Sequence, residues 1–281
     1  MPTVDMHQHL WPESLLAALA RRSGPPRLSG SWLEVAGESA SEIDLAAHDL
    51  DARLALLDRC EIDIAVVSLQ PTIGLDEELS AAYDDGIHEV ARAASGRVVP
   101  LASGSKLDGF AGACVAAGEL GDLDALAPQL DELDRRGAFL FVHPGPARPP
   151  EGAPAWWSAV VDYTAQMQAA YASWLAGGAE RWPDLAVVFA ILGGGGPFQL
   201  ERLRSRGLPG RELLHPNVFF ETASYGRRAL NMCLETFGVG QLCFGSDTPV
   251  IDPQPTLDAV RSFGEAVADA LCNVNPSRLL P

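Results

Sequence analysis

Short apolar runs alternate with longer segments whose apolar residues recur every three or four positions. The runs lie at 3–9 (TVDMHQH), 62–69 (IDIAVVSL), 98–102 (VVPLA), 112–117 (GACVAA), 138–143 (AFLFVH), 185–192 (LAVVFAIL), 218–222 (VFFET) and 241–245 (QLCFG). They are short, rich in β-branched residues and apolar on both faces, which predicts parallel strands covered by helices. Helical spacing fills 43–60, 77–94, 122–136, 155–181, 198–206, 227–237 and 256–271. Eight such units in alternation predict an α/β protein, a single (β/α)8 TIM barrel domain over 1–281, in preference to a doubly wound open sheet.

Two connections exceed the minimum, 10–44 after the first strand and 145–183 after the fifth. Both follow the C-terminal end of a strand, so both are expected as long loops over the mouth where barrel chemistry takes place. The chain has 281 residues, close to the usual barrel length of about 250.

The same strand ends carry the residues with chemistry. His7 and His9 close the first run two positions apart, so their side chains share a face while Gln8 points away. His143 closes the fifth run, and Asp247 follows the eighth in CFGSDTP. In a closed barrel the first and eighth strands are neighbours, which brings Asp247 beside the histidine pair. Three imidazoles and a carboxylate suit one divalent metal ion, zinc foremost, with manganese or iron also compatible.

Composition narrows the partners. The formal net charge is -17, a poor match to nucleic acid or to an anionic membrane. No apolar run is long enough to span a bilayer and no cationic leader opens the chain, so a cytoplasmic protein acting on a small molecule is expected. The five cysteines are scattered through apolar stretches and read as buried thiols, not as a disulfide framework.

The stretches VDMHQH, LDRCEIDIAVVSL, LFVHPGP, GGGGPFQLERL, CFGSDTP and NPSRLL together resemble the amidohydrolase-related branch of the amidohydrolase superfamily. That branch includes aminocarboxymuconate-semialdehyde decarboxylase, resorcylate-type decarboxylases and dicarboxylate lactonases. The resemblance extends over nearly the whole chain. It implies a barrel, a homodimer or larger homo-oligomer, and metal ligation by His7, His9, His143 and Asp247. It also implies a histidine at the end of the sixth strand, where this chain reads FAILGGGG and Leu192 stands in its place.

A general base contributes about 10²–10⁴-fold in rate, so its loss matters. Asp247 would serve as both ligand and base, or Glu221 at the end of the seventh strand would take over, with His48 and His215 as poorer candidates, or the protein would bind without turnover. Trp11, Arg27, Arg148 and Gly194 are candidate substrate contacts, while Lys106 and Arg227 are further cations able to meet a carboxylate. The first expectation for function is a metal-dependent hydrolase of a small cyclic or aromatic amide, ester or lactone. The alternative is a non-oxidative decarboxylase of an aromatic or dienoic acid. The third is a metal or ligand binder without catalysis.

Overall fold

The computed structural model describes residues 1–207 and 215–280. All eight expected strands are present: β1 Val4–Gln8, β2 Ile64–Val67, β3 Val98–Pro100, β4 Gly112–Ala116, β5 Phe139–His143, β6 Val187–Phe189, β7 Val218–Glu221 and β8 Leu242–Cys243. They pair in parallel as β1-β2-β3 and as β8-β7-β6-β5-β4. Backbone bonds join the two groups at both ends. The Met6 amide donates to Phe244 O (2.9 Å) and the His9 amide to Thr248 O (2.6 Å), while Ala102 donates to Gly112 O (2.9 Å) and Cys114 to Ala102 O (2.8 Å).

The strands are buried on both faces. Phe139, Phe141, Val187, Phe189, Phe219 and Phe220 all belong to one apolar core. Full burial of each such side chain is worth about 1.5–3 kcal/mol. Helices cover this core and start on aspartates that accept from free backbone amides: Asp49 from Ala52, Asp76 from Leu79, Asp122 from Ala125 and Asp252 from Gln254. All five cysteines are free and buried. Among the described residues no helix is long and apolar enough to cross a membrane.

Segment 10–44 is more ordered than a loop. It holds a helix, Glu13–Arg21, and a small antiparallel sheet of Arg27–Ser29, Trp32–Glu34 and Ser41–Glu42. Segment 145–183 is irregular, with turns at 151–152 and 155–156, and then helical from Trp157 through Arg181, with single π turns at Ser158–Asp162 and Trp174–Gly178. The expected helix over 43–60 is interrupted. A 3-10 turn, Leu45–His48, ends at extended Asp49, which then starts the helix Leu50–Cys60. Likewise Gly264, at φ 98°, divides the last expected helix after Pro253–Arg261.

Candidate metal centre

Each of the four expected ligands is delivered by a strand end. His7 lies on β1, His9 just past it, and His143 is the last residue of β5. Asp247 comes four residues after β8, with its amide bonded to His7 O (2.7 Å). That backbone contact places the carboxylate beside the two histidines, as neighbouring first and last strands require. Asp247 adopts φ 66°, a left-handed conformation that aspartate tolerates better than bulkier residues do.

One ligand atom from each of the four residues lies within 4.8 Å of all the others. His7 Nε2 is 3.1 Å from His9 Nε2, and Asp247 Oδ1 is 3.5 Å and 3.0 Å from the two nitrogens. Bonds of about 2.0–2.1 Å in a tetrahedral zinc site put ligand atoms about 3.3–3.4 Å apart. The three imidazole planes are nearly mutually perpendicular, with centroids 4.9–5.2 Å apart.

The far ring nitrogens explain why these atoms converge. His9 Nδ1 donates to Ser68 O (3.0 Å) and His143 Nδ1 to Pro144 O (2.9 Å). His7 Nδ1 lies 3.0 Å from Glu221 Oε1. A carbonyl can only accept, so His9 and His143 carry protons on Nδ1 and expose bare Nε2 lone pairs; the Glu221 carboxylate favours the same tautomer at His7. Ring nitrogens and a carboxylate oxygen this close need a proton or a cation between them, and the donor set fits a divalent ion.

Electrostatics agree. Burial alone would push His7 down, yet Glu221 and then Asp247 outweigh it and hold the imidazole up at about 9, so without an ion the ring keeps a second proton on Nε2 that a bound cation would displace. Burial pushes His9 down and His143 well down. Burial would raise Asp247, but His7 and His9 hold its carboxyl below the usual carboxylate range. The constellation is a buried anionic hole shaped for positive charge.

Behind the ligands is a network that sequence reading missed. Asp5 accepts from the amides of His7 (3.1 Å) and Ser246 (3.0 Å) and from Gln8 Nε2 (2.8 Å). Gln8 Oε1 in turn accepts from Arg53 Nη1 (2.9 Å), and Arg53 Nη2 donates to His9 O and Ala47 O at 3.0 Å. Burial pushes Asp5 up to about 6 and Arg53 down to about 10. The available signal was an arginine on the apolar face of a helix, a costly placement unless it is fully hydrogen-bonded.

Glu221, expected as a replacement base, is fully buried. Oε1 accepts from the Ile191 amide and Oε2 from the Ala223 amide (2.7 Å). Gly245 has no side chain because a Cβ there would lie 2.2 Å from Glu221 Oε2 and 2.9 Å from His7 Cβ. A carboxylate so enclosed has no oxygen free for a substrate; it holds His7.

Leu192 is buried at φ 53°, while Ile191 beside it is half-buried at φ 46°. With Gly193 to Gly195 they form a left-handed turn, and nothing in AILGGGG can transfer a proton. Gly194 lies in that turn against a helix: a Cβ would meet Thr164 O at 2.2 Å, and its carbonyl accepts from Gln168. Its backbone is committed to packing on that helix.

A cavity of about 370 Å³ is lined by Trp11, Glu38, His48, Gln70, Tyr163 and Pro249, among others. Trp11, Gln70 and Pro249 lie two positions beyond His9, Ser68 and Asp247, so the cavity opens at the ligand end of the strands. Trp11 is there as expected. Arg27 is not, because it forms a two-pronged pair with Glu34 on the small sheet (2.8 and 2.7 Å). Arg148 is exposed and lines a separate groove with Glu119 and Asp162. Arg227 bonds Ser262 O, and His215 precedes β7 at the opposite strand end.

Comparison with known proteins agrees with this geometry. A 2-amino-3-carboxymuconate-6-semialdehyde decarboxylase of Dictyostelium discoideum is 24% identical, over 99% of this chain and 91% of its own. The apo structure of IDCase from Metarhizium anisopliae superposes with a TM-score of 0.79 at 20% identity, covering 99% of this chain and 96% of that one. A 5-carboxyvanillate decarboxylase from Novosphingobium aromaticivorans, complexed with manganese and 4-hydroxy-3-methoxy-5-nitrobenzoic acid, gives 0.74 at 18% identity, covering 99% and 95%. A family model described as amidohydrolase matches residues 4–281, and the chain belongs to that family.

Proposed function

We propose that the protein is a metal-dependent, non-oxidative carboxy-lyase acting on a small aromatic or dienoic acid, built on one closed (β/α)8 barrel domain. The observation that carries the metal is the convergence of three imidazoles and the Asp247 carboxylate, one ligand atom of each lying within 4.8 Å of all the others. Closure is supported by the backbone bonds that join β1 to the segment after β8 and β3 to β4. The relatives named as decarboxylases favour carbon dioxide release over the hydrolysis that the sequence put first.

His7, His9, His143 and Asp247 would hold the ion. Bound there, a divalent ion supplies Lewis acidity and an anchor for a substrate carboxylate and a neighbouring oxygen. Zinc and manganese both suit the donor set, and manganese is the ion in the related structure. Asp247 has 18% of its side chain exposed, whereas those of His7 and His9 are closed to solvent. We assign it the proton transfer: its ionised carboxylate would take a proton from water or a substrate hydroxyl and deliver it to the substrate carbon that loses carbon dioxide. Trp11, stacked on His48, offers a flat wall to a planar substrate.

Metal analysis followed by carbon dioxide release from hydroxybenzoates tests the reading. Stoichiometric metal and carbon dioxide formation are expected. Failure to load metal would defeat any metal-dependent reaction. Cleavage of lactones or lactams without carbon dioxide would return the protein to the hydrolase reading.

A further inference from the structure

His48 belongs to no part of the metal centre, yet it is one of the most constrained side chains in the adjoining cavity. Its Nδ1 accepts from the Trp11 amide at 3.1 Å. Its ring lies on the Trp11 indole, with centroids 4.8 Å apart and planes inclined by 12°. The indole is itself fixed, since Trp11 Nε1 donates to Gln70 Oε1 at 2.7 Å. Burial, and then the Arg53 charge, push His48 down to about 3, so the ring is neutral. A neutral imidazole whose Nδ1 accepts carries its proton on Nε2. Among the described residues none takes that proton. The cavity wall therefore presents an N–H donor of fixed tautomer and fixed plane.

The charges lining the cavity are one-sided, the Arg53 guanidinium being bonded away to Gln8, His9 and Ala47. Half-buried Glu38 and exposed Glu42 and Asp44 share the lining, and among the described residues no lysine or arginine does. A second substrate carboxylate would meet three like charges in the lining and, among the described lining residues, no counter-ion. A neutral oxygen, as in a hydroxyl, ether or carbonyl, would accept from His48 without that repulsion.

We propose that His48 is the specificity-determining donor for a neutral oxygen on the edge of a planar substrate turned away from the metal, and that Glu38, Glu42 and Asp44 exclude substrates with a second carboxylate there. The proposal rests on the carboxy-lyase reading only for the carboxylate that faces the metal.

Calorimetric titration of the manganese-loaded protein tests it, with benzoate, 4-acetylbenzoate, terephthalate and the carboxylate-free 2-nitroresorcinol as probes. 4-Acetylbenzoate is expected to bind about three- to tenfold more tightly than benzoate, the usual worth of one hydrogen bond. His48→Phe keeps a stacked ring and is expected to abolish that preference with metal content unchanged, while any loss from the freed Trp11 amide falls on both acids alike. His48→Gln, which restores an N–H donor, should recover part of it and guards against a misfolded Phe variant. Terephthalate should bind weakest and improve in the Glu38→Gln/Glu42→Gln double variant.

Equal loss of benzoate and 4-acetylbenzoate affinity in both His48 variants would overturn the proposal, as would terephthalate binding on a par with 4-acetylbenzoate. If the acids fail to bind but 2-nitroresorcinol binds in a His48-dependent way, the carboxy-lyase reading falls and the donor assignment stands. If none of the four binds, both fall.

Discussion

The ends of β1 and β6 both approach Glu221, and they bring it different chemistry. From β1 comes a side chain: His7, with Nδ1 3.0 Å from Oε1. From β6 comes only backbone: the Ile191 amide donates to the same oxygen from a left-handed turn of apolar residues and glycines. One strand end displays ionisable groups backed by the Asp5, Gln8 and Arg53 network; the other contributes a fixed N–H and no group that can gain or lose a proton. The difference teaches that this centre is well equipped to hold a cation and sparsely equipped to move protons. Under the proposed function, proton movement falls on Asp247, the ligand with the more open face.

The sharpest way to break that division is Asp247→Asn. If Asp247 is the only proton carrier, turnover should fall by about 10²–10⁴-fold. The three imidazoles should retain part of the metal affinity. Steady-state rates measured beside metal content separate the two effects, and an unchanged rate in metal-loaded protein would show that another group carries the proton. Glu221→Gln probes the other side. It leaves a hydrogen-bonding side chain in place but removes the charge behind His7, and metal affinity should fall by about 10–100-fold. Chelator competition reads this without any substrate. If affinity is unaltered while turnover collapses, Glu221 acts on protons after all and the contrast between the two strand ends disappears.

How far the sequence revealed this depended on the range of the interactions involved. The eight strands were legible because runs such as AFLFVH and LAVVFAIL are apolar on both faces, a local property. The ligand set was legible because His7, His9, His143 and Asp247 each sit where a strand ends, and strand order alone brings them together. Glu221 was found but its enclosure was not, since that depends on Ile191 and Ala223 amides and on the missing Cβ of Gly245. Arg27 looked free until the small sheet set it opposite Glu34. Arg53 and His48 looked like ordinary helix-face residues because their partners lie some 40 positions away in the chain. The helix Glu13–Arg21 was overlooked inside a stretch whose prolines and glycines suggested a loop.

The smallest expected effect separates two adjacent residues of the β6 turn. Restoring an imidazole at Leu192 follows from sequence resemblance, but that side chain is buried in the apolar core. Leu192→His should cost about 1–3 kcal/mol of stability through an unsatisfied buried polar group, visible as a lower Tm, with no gain in rate. Ile191 is half-buried and its amide already touches Glu221. Ile191→His should therefore keep more of the stability and is the variant in which added proton transfer can raise turnover. The reverse result, with Leu192→His stable and more active, would mean that position 192 faces the substrate, and the β6 end would then be a modified acid–base site instead of a backbone clamp.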